Sequence, residues 1–137
     1  MTEVSTVPTL VVGLGCQRGC PVSTLRALLD QALQAHRIEL HDIKALASID
    51  LKRDEPALIE LATQLALPLM FFSSEQLAGY QPHLSHHSQI AFERTGCYGV
   101  AESAALALAE QLGHAPAKLL IRRQKYAQAT LALACAA

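Results

Sequence analysis

Four short stretches hold most of the side chains that could do chemistry. "VVGLGCQRGCP", residues 11–21, sets three glycines, Cys16, Cys20 and Arg18 after an apolar run. "SIDLKRDEP", residues 48–56, crowds Asp50, Lys52, Arg53, Asp54 and Glu55 together. "HLSHH" offers the imidazoles of His83, His86 and His87, and "RRQK" offers Arg122, Arg123 and Lys125. A glycine turn next to a cation can cradle a dinucleotide, activate a thiol, or bind some other anion through backbone N–H groups.

The dinucleotide reading fails on spacing. Gly13 and Gly15 fit G-x-G-x-x-G, but the third glycine, Gly19, comes one place late, and Arg18 fills the slot where helix and strand must pack closely. Asp50 ends the second apolar run, as a ribose-binding acid does, but lies well beyond the usual ~20 residues. No Gly-Lys-Ser/Thr occurs, so a phosphate-binding P-loop is absent too. A nucleophilic Cys16 would need a base, and no histidine is near it in sequence, so the fold would have to bring His83, His86 or His87 over. Three histidines without an intervening carboxylate make a poor metal set, and no metal or cofactor is expected. Asp54 and Glu55 are explained as helix caps and by the helix dipole. Asp50 and Lys52 are not, and a functional and a structural role stay equally open for them.

The elements that would position these residues follow from periodicity. "TLVVGLG" is a continuous apolar run ending in glycine, as in a buried parallel strand. Pro21 and Ser23 open a helix in which Leu25, Leu28, Leu29, Ala32 and Leu33 share a face. "IKALASI" is a second strand. A helix begins near Asp54 or Glu55, with Pro56 in its first turn and Leu58, Leu61, Ala62 and Leu65 inward. "LPLMFF" is a third strand, and Ser73 with Gln76 has capping-box spacing for a short helix. The pattern weakens over residues 79–99, with one short helix near residues 89–94. Val100, Ala104, Leu108 and Leu112 mark a helix closed by Gly113. "AKLLIRR" and "ATLALA" form an antiparallel hairpin across "QKYAQ". The sum is a single α/β domain, residues 1–137: a three-layer sandwich on a mostly parallel sheet of about five strands with a C-terminal antiparallel hairpin. Ligands of such sheets gather at the carboxyl ends of the strands, which is where the Gly15 loop, residues 50–55 and Ser73 all fall.

Composition narrows the function classes. With 137 residues the chain supports one core, and with aromatic residues at 4% that core must be Leu, Ala, Ile and Val. A net charge of -1 gives no global field for nucleic acid, and no apolar run reaches the ~18 residues of a membrane span. Charge is uneven, however. Glu110 is the last acidic residue, and Lys118, Arg122, Arg123 and Lys125 follow it. The segment before Cys16 ends in a lipobox-like Leu-Gly-Cys, but it holds Glu3 and no Lys or Arg, so a leader is not expected. A cytoplasmic protein with reduced cysteines (Cys16, Cys20, Cys97, Cys135) and no CxxC pair is expected instead.

Several blocks in order carry a resemblance: "GLGCQRG", "ALASIDLKRDEPALIELA", "LPLMFFSSEQL", "GVAESAALALA" and "RRQKYAQATLALA". Together they resemble the cobalamin biosynthesis protein CobE family, which also forms the C-terminal domain of cobalt-precorrin-5A hydrolase (CbiG). The resemblance runs from about residue 9 to residue 134. It carries over onto Gly13, Gly15, Cys16, Arg18 and Gly19, then onto Asp50, Leu51, Lys52, Asp54 and Glu55. Later it covers Ser73, Gly96, Val100, Glu102, Gln124, Lys125 and Thr130. Gly99 replaces a helix-capping serine, Arg123 a lysine, and Ala127 with Gln128 a flexible glycine pair. The histidines match no block.

What the resemblance implies is a role in building the corrin ring. The two-domain members open a ring lactone and release a two-carbon fragment, and this chain corresponds to their C-terminal part alone. The expected ligand is a precorrin-type tetrapyrrole, an apolar macrocycle fringed with carboxylates. Arg18, Lys52, Arg123 and Lys125 are expected at its rim, with Gly13, Gly15, Cys16, Gly19, Asp54, Glu55, Ser73, Gln124 and Thr130 as further contacts. Asp50 or Glu102 would handle a ring proton if chemistry occurs. The partner expected is another pathway enzyme such as a precorrin methyltransferase; neither nucleic acid nor a membrane is expected. A stand-alone lactone or acyl hydrolase and a ligand-free interaction module are the alternatives.

Overall fold

The structure, a computed structural model, describes residues 9–136. The leader question therefore rests largely on residues 1–8, outside the described residues. Five strands form one sheet: β1 (Thr9–Cys16), β2 (Ile43–Ile49), β3 (Leu69–Phe72), β4 (Ala117–Tyr126) and β5 (Ala129–Ala136). Their order is β3-β2-β1-β5-β4. β1 pairs β2 and β2 pairs β3 in parallel, while β5 runs antiparallel to both its neighbours. β4 therefore points the same way as the first three strands, and β5 alone is reversed.

Helices cover both faces, giving the expected three-layer α/β sandwich. They are α1 (Val22–Ala35), α2 (Pro56–Leu65), α3 (Ser74–Ala78), α4 (Gln89–Thr95) and α5 (Val100–Gly113). The period-2 alternation of β1 sorts its side chains between the layers. Leu10, Val12 and Leu14 join the cluster that holds Leu25, Leu28 and Leu29 of α1 and Leu58 and Leu61 of α2. Val11 joins the opposite cluster, with Ala104, Ala105 and Leu108 of α5. Among the described residues, no helix is long and apolar enough to cross a membrane.

Gly13 lies on the α5 side of β1. A Cβ added there would sit 1.9 Å from the Ala101 carbonyl oxygen and 2.7 Å from the Ala105 nitrogen. The residue exists to let helix and strand backbones meet. Expected as a ligand contact, it lies buried under α5.

Several boundaries differ from expectation, each for a local reason. The hairpin turn is not the five-residue "QKYAQ". Gln124, Lys125 and Tyr126 continue β4, paired to Leu131, Thr130 and Ala129, and only Ala127 and Gln128 remain between the strands. Ala127 has φ +52, a left-handed turn conformation that glycine adopts freely and alanine resists. Gly113 does not terminate α5 by a left-handed turn. His114 does so at φ +53, and Gly113 packs where a Cβ would meet that of Ala136 at 2.5 Å. Glu55 occupies the N-cap of α2, yet its side chain does not cap the helix. Ser73 and Gln76 form the expected capping box at α3.

Placing β5 next to β1 has a positional effect. Cys16 pairs with Ala129, so the β4–β5 turn lies beside the carboxyl end of β1. The Gln17 N–H donates to the Gln128 carbonyl at 2.9 Å and closes the gap. The basic hairpin thereby reaches the same sheet edge as the first two strand-to-helix loops.

Candidate functional site: a cationic cleft at the carboxyl edge

The loop after β1 is a tight turn. Gly19 has φ +79, and the Cys20 N–H donates to the Gln17 carbonyl at 3.1 Å. Glu55, buried, accepts the Gly19 N–H at 3.2 Å and ties this loop to the start of α2. β2 parts from β1 here, and the buried Ser48 hydroxyl donates to the Leu14 carbonyl at 2.7 Å. A single 3-10 turn, Asp50–Lys52, follows β2 and carries Leu51 and Lys52 outward. Val100 and Ala101, in the first turn of α5, supply part of the apolar floor, and α4 with the segment after it forms the far wall.

These elements enclose a cleft of about 670 Å³, within the range of small-molecule sites. Its cations are Arg18, Lys52, Arg94, Arg123 and Lys125, and among the described residues no aspartate or glutamate lines it. Among the described residues none of the five is in an ion pair. Asp54 and Glu55 line the depression beside it and Glu102 holds the Arg123 N–H, so these acids only partly offset the cations gathered on the lining, on a protein of net charge -1. Leu51 and Ile90, both on the cleft, are 64% and 65% exposed, which leaves apolar surface facing solvent at its mouth. Tyr98 also lines the cleft, stacked on Phe92 at 4.4 Å between ring centroids.

Of the expected contacts, the structure brings Gly15, Cys16, Arg18, Lys52, Arg123, Lys125 and Thr130 together in this cleft. A Cβ at Gly15 would lie 2.6 Å from the Thr130 hydroxyl, so the floor is narrow there. Gly19, Asp54 and Glu55 line an adjoining depression of about 620 Å³, which shares Arg18, Leu51 and Lys52 with the cleft. Gly13, Asp50, Ser73, Glu102 and Gln124 do not line the cleft. Asp50 begins the turn after β2, and Ser73 is occupied as the α3 cap. The Gln124 amide donates to the Arg122 carbonyl. Glu102 is buried and accepts N–H groups from Ser85 at 2.7 Å and from Arg123 at 2.9 Å, together with the Ser85 hydroxyl. Burial pushes its carboxyl up, but these hydrogen bonds outweigh burial and hold it below the usual carboxylate range.

Cys16 lacks the chemistry of a nucleophile. Burial pushes its thiol up to about 12, Cys20 and Glu55 add to the effect, and Lys52 only partly opposes it. All four cysteines are free thiols. No histidine lines the cleft. His86 Nδ1 pairs with the Ser85 hydroxyl at 2.8 Å and His87 Nε2 with the Gln81 carbonyl at 3.0 Å.

Sequence reasoning missed Arg94, Ile90 and Tyr98. One signal was available: Ile90 and Arg94 stand four apart, on one face of the short helix expected there.

Fold and cleft together define a three-layer α/β protein that presents a carboxylate-free, cationic cleft at the carboxyl edge of its sheet. The family described as "Cobalamin synthesis G C-terminus" matches residues 10–134, and the chain belongs to this family of cobalamin biosynthesis proteins. Protein CobE of Sinorhizobium sp is 38% identical over 125 residues, covering 91% of this chain and 79% of that protein. Cobalt-precorrin-5A hydrolase of Priestia megaterium is 31% identical over 97 residues, covering 71% of this chain but 25% of the hydrolase. A crystal structure of CobE, a protein from the cobalamin biosynthetic pathway, superposes with TM-score 0.93 at 45% identity, covering 98% of this chain and 95% of that one. The cobalamin biosynthesis protein chiG from Agrobacterium tumefaciens superposes with TM-score 0.72 at 30% identity, covering 94% and 99%.

Proposed function

We propose that the cleft binds a precorrin-type tetrapyrrole intermediate of corrin-ring construction. The observation that carries this is the set of five unpaired cations around an apolar floor with no carboxylate among them. A wide apolar ring edged with carboxylates is complementary to that surface on both counts. The exposed Leu51 and Ile90 suit a flat apolar body, and a small hydrophilic anion would leave them in water.

Binding and handing on is favoured over hydrolysis by this chain. Cys16 stays a thiol at neutral pH, and Glu102 has its carboxylate engaged by backbone N–H groups. Asp50 stands off the cleft lining. The bound intermediate would pass to a neighbouring pathway enzyme, such as a precorrin methyltransferase, in the cytoplasm, and the proposal calls for no cofactor.

The test is a titration of the purified chain with a precorrin, followed by visible absorbance. A saturable spectral change at one ligand per chain is expected. No change at ligand well above protein concentration would overturn the proposal. Turnover of a lactone-bearing precorrin by the chain alone would move the assignment to a hydrolase.

A further inference from the structure

β4 does not pair evenly with β5. Ile121 faces Leu133 and Gln124 faces Leu131, so Arg122 and Arg123 together stand opposite a single residue. That is a β-bulge, and bulges re-aim side chains and release a backbone group from the ladder. The Arg123 N–H donates to Glu102 Oε2 at 2.9 Å. Glu102 reaches there from the first turn of α5 while also holding the Ser85 N–H and hydroxyl. One carboxylate thus joins the bulge, the start of α5 and the segment leading into α4, and each of these elements contributes to the cleft.

Arg123 and Lys52 are half-buried, whereas Arg18, Arg94 and Lys125 are exposed; of the two, Arg123 is the one whose backbone Glu102 holds. Among the described residues its Nε is buried without any hydrogen-bond partner. With Nε closed to solvent, the terminal N–H groups of the guanidinium are what a ligand carboxylate would meet. Resting on the tetrapyrrole reading above, we infer that Arg123 is the deep anchor of the cleft. It takes one ligand carboxylate by a two-point contact through its terminal N–H groups. Glu102 is the positioning residue that fixes its backbone for that contact. The exposed cations supply long-range attraction, whereas Arg123 sets the register of the ring by recognising one side chain.

The experiment is the precorrin titration run on variants at two salt concentrations, with thermal melts to confirm folding. Arg123→Lys keeps the charge but loses the planar fork. It is expected to bind about tenfold more weakly with an unchanged salt dependence, whereas Lys125→Ala is expected to flatten that dependence. Glu102→Gln is expected to weaken binding in the parent chain but to add no further loss in an Arg123→Ala background, because it acts through Arg123. If Glu102→Gln fails to fold, Ser85→Ala, which removes one donor from an exposed position, takes its place in the same cycle. Parent-level binding by Arg123→Lys, or full additivity in the cycle, would overturn this inference and leave the tetrapyrrole reading standing. Failure of the parent chain to bind would end both.

Discussion

The two faces of the sheet are built from different residues. Under α1 and α2 the contacts are mainly leucine: Leu25, Leu28, Leu29, Leu58 and Leu61 against Leu10, Leu14, Leu131 and Leu133. Under α5 they are mainly alanine, with Ala104, Ala105 and Ala109 facing Ala45, Ala47, Ala134 and Ala136. A fully buried leucine contributes about 1.5–3 kcal/mol, and an alanine much less. The alanine face gains something else, which is backbone proximity. With Gly13 beneath it, α5 sits close enough on β1 to leave no room for a Cβ. The cleft opens at the start of this closely seated helix, where Val100 and Ala101 lie. Stability is concentrated on one face, and the precision of the site on the other.

The strongest way to break this division is Gly13→Val. Its Cβ would meet backbone and not a movable side-chain tip, so the cost should exceed the ~1–3 kcal/mol of ordinary overpacking. No cooperative thermal transition is expected; a variant melting like the parent would show that α5 is free to move away. Next comes a paired comparison. Leu29→Ala, on the leucine face, should lose about 2–5 kcal/mol in denaturant unfolding while the folded fraction binds ligand normally. Ala105→Leu, on the other face, should lose about 1–3 kcal/mol yet weaken binding, because it lifts the helix that begins at the cleft. Equal effects of the two on affinity would erase the distinction.

Smaller effects sharpen the contrast at the cleft itself. Arg18→Ala and Lys125→Ala should each weaken precorrin binding by about 1.5–3 kcal/mol, roughly ten- to hundredfold, with the melting temperature unchanged. Unchanged affinity in the double variant would reduce these charges to surface solubilisers. The smallest change is expected from Cys16→Ser, which should keep the fold and most of the binding; a folded variant without affinity would make Cys16 indispensable. Its titration adds a signed prediction. The folded thiol lies near 12 against an ordinary 9.0, so the stability gained by keeping it neutral is fully present below pH 9. That stability is lost as pH rises toward 12, and urea midpoints should fall more steeply over this window in the parent than in Cys16→Ser, where the raised Cys20 and Tyr80 leave a smaller decline.

What could be read in advance was whatever had a long period. The 14-residue helices α1 and α5 and the apolar strands were legible because three or more turns, or a continuous Val- and Ala-rich run, repeat one signal. The far wall of the cleft was not, because α4 has seven residues and offers fewer than two turns of pattern. Arg123 and Lys125 could be seen as cations, but a bulge shifts the phase of β4, and no period-2 count shows which way they face. The packing role of Gly13 was hidden because a glycine that admits a ligand and one that admits a helix leave the same trace in a sequence: both simply lack a Cβ. Glu55 likewise stood at a helix start, and only the structure shows its carboxylate turned to the Gly19 N–H.

The reversed strand inside the sheet, β5 between β1 and β4, also constrains how the molecule is made. β1 pairs with β5 along its whole length, from Thr9 opposite Ala136 to Cys16 opposite Ala129. β1 therefore waits for β5, and the contact that completes the middle of the sheet joins the two described strands furthest apart in sequence. Until β5 arrives, β1 has a bare edge and β4 has no partner within the sheet. Closing so long a loop carries a large entropic cost before any reward, which slows folding and lengthens exposure of that edge. A chain ending before Ala129 would carry β1, β2 and β3 complete yet lack Leu131 and Leu133 from one core and Ala134 and Ala136 from the other. Folding of the sheet is thereby tied to the arrival of β5, and a copy lacking it is left as a substrate for proteolysis.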